Sequence, residues 1–233
     1  MTLALRPAAA RGHANFGWLD SHHTFSFANY HDPRHMGFRQ LRVINDDTVS
    51  PDGGFDTHGH RDMEIISYVV RGALAHRDTT GGDGVLQRGD VQAMSAGTGV
   101  RHSEFNGSGE EDVRFLQIWV LPERDGLKPA YRQAQFSDEA KRNQLRLIVA
   151  PGGPEGSLHI NQDVRVYASL LDGGASVSHQ LAAGRGAWVQ VVDGDIEVNG
   201  KTLTSGDGLA IEDVERLDIA ARGKAEFLLF DLG

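Results

Sequence analysis

The sequence predicts an all-β fold of the barrel type. Three observations carry that expectation. Short apolar runs recur along the whole chain, most are closed by Gly, Asp, Asn or Pro, and amphipathic helical stretches are scarce. In chain order the runs are Leu41–Ile44, Glu64–Val70, Val113–Val120, Leu145–Val149, Ala187–Val192, Asp195–Val198 and Ala225–Phe230. Gly81–Gly84 and Asp193–Gly194 read as hairpin turns. The 29 glycines suit a fold with many tight turns. One short helix is expected at Ser137–Asn143, with Ser137 as its N-cap.

The 233 residues suffice for one large all-β domain or two small ones. Pro122–Gln144 is polar, carries Pro122 and Pro129, and follows a strong strand, so a boundary is expected there. We read residues 1–130 as one barrel and 131–233 as a second. The Gly194-Asp195…Gly206-Asp207 turns echo Gly72…Gly89-Asp90, as an internal duplication would make them. Histidine breaks the symmetry, since nine of the eleven lie before residue 110. If the halves share a fold, the chemistry has stayed in the first.

Composition narrows the function classes. With 39% hydrophobic and 24% charged residues the chain reads as an ordinary globular protein. A formal net charge of −9 argues against direct nucleic-acid binding, which Lys and Arg drive, although contact with a DNA-bound protein stays open. There is no cysteine, so disulfides and thiolate metal sites are excluded and a transition metal must be held by nitrogen and oxygen. Met1–Arg11 lacks the apolar run of a signal peptide, and no stretch approaches the ~20 apolar residues of a membrane span. A cytoplasmic protein without a membrane partner is expected.

Thr57-His58-Gly59-His60 places two imidazoles at i and i+2, on one face of a strand. If the strand runs on, Glu64 shares that parity. His102-Ser103-Glu104 repeats the spacing just after the glycine-rich turn Ser95–Arg101. Two such pairs on neighbouring strands supply three neutral imidazoles and a carboxylate, a set suited to iron, copper, nickel, manganese, cobalt or zinc. Glu64 could be a further ligand, an orienting partner of an imidazole, or a proton acceptor. His22, His23, His31 and His35 lie near Phe25 and Phe27; they could line the mouth of the site, but the favoured reading is that they pack the N-terminal strand against the barrels and hydrogen-bond locally. His76 reads as an exposed loop residue, and Trp119 and Trp188 as core or inter-barrel packing. No Gly-x-Ser-x-Gly elbow is present, so Asp20-Ser21-His22 is not read as a hydrolase element.

The residues also carry a family resemblance. Gly54-Phe-Asp-Thr-His58-x-His60-x3-Glu64-x7-Gly72 resembles the first cupin motif, and Gly89-x7-Gly97-x4-His102-x3-Asn106 the second, with a longer turn. His22–Tyr30, Asp32-Pro33, Gly37-Phe38, Arg42–Asp47 and Met94–Gly99 are similar to segments of the pirin family, and the likeness runs over essentially the whole length. It implies a bicupin of two double-stranded β-helix (jelly-roll) barrels, the C-terminal one degenerate and without metal ligands. It also implies that Glu104, rather than Glu64, joins His58, His60 and His102 around one divalent metal per chain, iron(II) first among the ions above. Glu64 and Glu104 are then the two candidate proton acceptors.

The likeness is greatest to bacterial pirin-like proteins that act as quercetin 2,3-dioxygenases. It implies oxidative cleavage of a flavonol by dioxygen with release of carbon monoxide. Pirin-like regulators imply an alternative, a non-enzymatic metal-binding protein with a protein partner. A cupin isomerase or sugar-binding protein would instead need a metal-independent pocket.

Overall fold

The computed structural model describes residues 2–233. Four sheets build the fold, two for each half of the chain, and all their strand pairs are antiparallel except Arg146–Ala150 with Leu158–His159, which run parallel. In the first half a seven-stranded sheet runs, in spatial order, Ala130–Gln135, Asp90–Ser95, Glu64–Arg71, Val113–Val120, Leu41–Val49, Leu19–His23 and Gly12–Asn15. It faces a four-stranded sheet ordered Gly54–His60, Val100–Asn106, Ala73–Asp78 and Asp83–Gln87. The second half repeats the plan. Its larger sheet runs Thr2–Arg6, Gly208–Glu212, Gly186–Asp193, Ala225–Leu232, Val164–Leu171, Arg146–Ala150 and Leu158–His159, and its smaller one Ser176–Gln180, Arg216–Ala221, Ile196–Val198 and Lys201–Leu203. This is the bicupin architecture, and the duplication expected from the turn glycines is visible strand by strand.

Sheet membership crosses the boundary expected near residue 130 in two places. Thr2–Arg6 pairs with Gly208–Glu212 in the second half's sheet, and Ala130–Gln135 pairs with Asp90–Ser95 in the first. Each half thereby supplies an edge strand to the other, covering an edge that would otherwise be open.

The strands form where the alternation places apolar residues on a buried face. Along Val113–Val120, Leu116, Ile118 and Val120 join Ile66, Tyr68, Trp188, Leu228 and Phe230 in a core between the two halves. The opposite face of the same strand, with Gln117 and Trp119, looks into the first barrel's cavity. The second barrel is filled by aliphatic side chains, among them Val189, Val191, Leu217, Ile219 and Leu229. Ser137 caps a single α-helical turn, Asp138–Lys141, accepting from the Ala140 amide at 3.3 Å. No helix among the described residues is long and apolar enough to cross a membrane.

Candidate metal centre

Gly54–His60 and Val100–Asn106 lie side by side, with His58 opposite His102 and Val100 opposite His60. The spacing of the two histidines therefore turns both rings toward the ring across the ladder. His102 Nε2 lies 2.9 Å from His60 Nε2 and 3.0 Å from His58 Nε2. His58 Nδ1 is 2.8 Å from the Asp56 carbonyl and donates to it, which leaves its Nε2 lone pair free. Burial, reinforced by the neighbouring imidazoles, pushes His102 down to about 3 and His60 down to about 4, so both are neutral at pH 7. Three ring nitrogens crowded nose to nose have too few protons to satisfy one another. That arrangement fits a divalent transition metal, for which neutral imidazole nitrogen is a suitable donor.

The turn that delivers His102 requires glycine. Gly97 has φ +46°, and a Cβ there would meet the Leu127 carbonyl at 1.9 Å. A register irregularity between His102 and Glu104 then re-aims the strand.

Glu104 is buried and accepts three hydrogen bonds, from Gln92 Nε2 and Gln117 Nε2 at 2.7 Å each and from Ser67 Oγ at 3.3 Å. Its carboxylate groups with ligating atoms of His102 and His76, all within 4.8 Å of one another. His102 therefore belongs to two sets, the imidazole trio on one side and His76 with Glu104 on the other.

Glu64 is not brought to this centre. Asp62, with φ +49°, turns the chain after His60, and Glu64 opens a new strand in the other sheet, so the parity count does not carry across. Its carboxyl accepts from Ser95 Oγ at 2.9 Å and from the backbone and side-chain amides of Asn161 at 3.3 and 3.2 Å, at the seam with the second half. Burial raises its pKa against those hydrogen bonds. The expectation that it lies on the histidine face is corrected.

His58, His60 and Glu104 border a cavity of about 640 Å³, with His102 buried behind them. Phe16, Trp18, Phe27, Tyr30, Phe55 and Trp119 give it aromatic walls. Three of the residues that border the cavity each hold a buried polar atom with no protein partner: Trp119 Nε1, Asn45 Oδ1 and His23 Nδ1. Asp47 also borders the cavity, and burial pushes its carboxyl up to about 7, with Asp46 and Glu104 adding to the rise.

A family model described as pirin matches residues 5–120, and one described as the quercetinase C-terminal cupin domain matches 147–232. A quercetin 2,3-dioxygenase of Escherichia coli (strain K12) is 49% identical over 229 residues, covering 98% of this chain and 97% of that one. This chain belongs to the pirin family. Among solved structures, the bacterial pirin YhhW from Escherichia coli in complex with nickel(II) superposes with a TM-score of 0.94 at 47% identity, covering 99% of each chain. A pirin-like protein of Caulobacter vibrioides is 39% identical, covering 97% of each chain.

Several residues of this pirin had other sequence readings. His76 was expected in an exposed loop but is buried behind His102, with ring centroids 5.4 Å apart. Its Nε2 lies 2.8 Å from Asp78 Oδ2 and its ring stacks on Tyr131 at 4.6 Å. His76 shares with His58 and His60 the habit of sitting two residues from another polar group, here Asp78, which is the signal that could have found it. Trp119 is a cavity wall, edge-on to His60 at 5.1 Å, rather than packing alone. His23 borders the cavity, in line with the mouth-lining reading of it rather than the favoured packing one. In the second half, His159 contacts Asn161 and His179 contacts Asp231, and all metal-ligating clusters among the described residues lie in the first.

Proposed function

We propose that this pirin is a metal-dependent dioxygenase that cleaves a flavonol such as quercetin with dioxygen, releasing carbon monoxide. The observation that carries the reading is one cavity with aromatic walls, bordered by His58 and His60 of the crowded imidazole trio and by three side chains that each carry an unpartnered polar atom. Flat walls suit a planar aromatic ligand. Unpartnered Trp119 Nε1–H suits a ligand carbonyl, while Asn45 Oδ1 and His23 Nδ1 suit ligand hydroxyls. The names of the relatives support the same substrate class.

His58, His60 and His102, with Glu104, would hold one divalent metal, iron(II) being the first expectation and nickel the ion in the YhhW complex. When bound, it supplies Lewis acidity toward a hydroxyl oxygen and a redox partner for dioxygen. The chain's own contribution is to orient the ring system, keep water from it, and accept the proton of its hydroxyl. Glu104 is the sequence-derived acceptor that borders the cavity; Glu64 does not.

The test is anaerobic reconstitution with iron(II) or nickel(II), followed by quercetin consumption and carbon monoxide release in air. Turnover in the wild type and its loss in His60→Ala are expected. Fully metallated protein with no turnover on any flavonol would overturn the reading in favour of a metal-dependent regulator with a protein partner.

A further inference from the structure

The cavity wall carries a second chain of polar groups outside the imidazole trio. Leu19–His23 pairs with Leu41–Val49, setting Ser21 beside Asp47 and His23 beside Asn45. Ser21 Oγ donates to Asp47 Oδ1, and His23 Nε2 lies 2.9 Å from Ser21 Oγ. All three side chains are buried and all three border the cavity. The Phe27 ring meets the His23 ring edge-on at 5.3 Å and holds it in place.

Proton counting fixes the polarity of this chain. The Ser21 hydroxyl has one proton and gives it to Asp47, so its lone pair must accept Nε2–H from His23. His23 Nδ1 is then a bare acceptor, and it has no protein partner. Asp47 accepts only the Ser21 hydrogen bond among the described residues, although a carboxylate can accept about four. A triad with a purely structural role would not leave a buried basic nitrogen without a partner at one end.

We propose that His23, Ser21 and Asp47 form a proton relay that takes the proton from a hydroxyl of the ligand in the cavity. This rests on the flavonol reading above. The ligand O–H bond breaks as Nδ1–H forms on His23. The Nε2 proton passes to Ser21 Oγ, and the Ser21 hydroxyl proton passes to Asp47. The electron pair stays on the ligand oxygen, and nothing is oxidised or reduced. His23 is the residue that touches the ligand; Ser21 and Asp47 act through it.

The surroundings favour this direction. Burial first, then His22, His13 and Arg11, hold His23 below its usual range, keeping it neutral and able to accept. Burial raises Asp47, the Ser21 hydrogen bond opposes this, and the negative charges of Asp46 and Glu104 add to the rise. Phe115, its neighbour on the adjoining strand, contributes no charge. Asp47 must be ionised to accept, so the relay gains as pH rises through about 7.

The experiment uses 3-hydroxyflavone, which has a single ionisable hydroxyl, bound anaerobically to the metal-loaded protein. Absorbance of the ionised flavonol is followed against pH in wild type, Asp47→Asn and Ser21→Ala, with metal content and flavonol affinity measured alongside. The expected result is a half-ionisation point at least one unit higher in both variants, about a tenfold smaller ionised-to-neutral ratio below it, with metal content unchanged. Folded variants that ionise along the wild-type curve would overturn the relay. Should Asp47→Asn fail to fold, Ser21→Ala decides alone, since it cuts the chain and leaves the carboxyl in place. A wild-type protein that binds no 3-hydroxyflavone would overturn the flavonol reading itself, which distinguishes the two failures.

Discussion

His60 and His102 face each other Nε2 to Nε2 across 2.9 Å, on adjacent strands of the smaller sheet in the first half. Neither ring is protonated at neutral pH, and His102 meets His58 in the same way at 3.0 Å. A cation placed among them relieves the lone-pair crowding that hydrogen bonding cannot.

The first prediction follows from that crowding. His58→Ala and His102→Ala each remove a donor, and elemental analysis of the purified variants is expected to show most of the metal lost. In the wild type, metal at about a thousand times its dissociation constant raises stability by roughly 4 kcal/mol, and this thermal shift disappears in the variants. His159→Ala and His179→Ala keep full metal content, because those rings hydrogen-bond to Asn161 and Asp231 far from the trio. A stoichiometric metal retained in His102→Ala would refute the site.

The two glutamates separate in a second experiment. Glu104→Ala removes a carboxylate that Gln92 and Gln117 hold beside His102, and a loss of metal affinity of at least about 10- to 100-fold is expected. Glu64→Ala leaves the Ser95 hydroxyl and the Asn161 backbone N–H without their acceptor at the seam, costing about 1–3 kcal/mol in chemical denaturation with metal content intact. Reversal of those two outcomes would restore Glu64 to the metal centre.

That reversal of roles shows where sequence reading works and where it stops. The all-β class was legible because alternation and turn glycines are local properties, and the imidazole trio because two i, i+2 pairs each declare a face. Counting parity from His60 to Glu64 failed because it passes through Asp62, whose left-handed backbone ends one strand before the next begins. Asp47 and His76 were not legible as site residues. Their partners, Ser21 and His102, lie 26 residues away in the chain and are joined to them only by sheet pairing or ring packing. Trp119 showed which residues share its face, but not that this face borders a cavity. The exchange of Thr2–Arg6 and Ala130–Gln135 between halves is a tertiary event with no local signature.

The seam between the halves yields a pH-dependent prediction. Arg114 makes two hydrogen bonds to Asp46, at 2.8 and 3.1 Å, and reaches across to Asp193 at 2.9 Å and the Val192 carbonyl at 3.0 Å. Burial works to raise the Asp46 carboxyl, but Arg114 and Arg11 outweigh it and the net direction is down. A carboxyl depressed in the folded state stabilises above its unfolded value of about 4, and that stability is lost as pH falls through the folded value. Arg114→Ala is expected to cost about 3 kcal/mol at pH 7 and to flatten the acid limb of a stability-against-pH curve. An unchanged acid limb in the variant would show that Asp46 does not draw its stabilisation from Arg114.

Trp119 offers the last test, of the cavity rather than the metal. Its indole stands edge-on to both His60 and Phe27, at 5.1 and 5.3 Å, and its N–H is buried without a protein partner. An unpaired buried donor is costly, so a ligand carbonyl that accepts from it gains what the free protein forgoes. Trp119→Phe keeps an aromatic wall and removes only the donor and one ring. Flavonol affinity is expected to fall by about 3- to 10-fold, equivalent to roughly one hydrogen bond of 0.5–1.5 kcal/mol. Metal content stays at the wild-type level, since Trp119 supplies no metal donor. Fluorescence titration of anaerobic protein with 3-hydroxyflavone measures the change. Affinity equal to wild type would mean that the ligand does not reach the indole N–H, and that the flavonol is oriented by Asn45 and His23 alone.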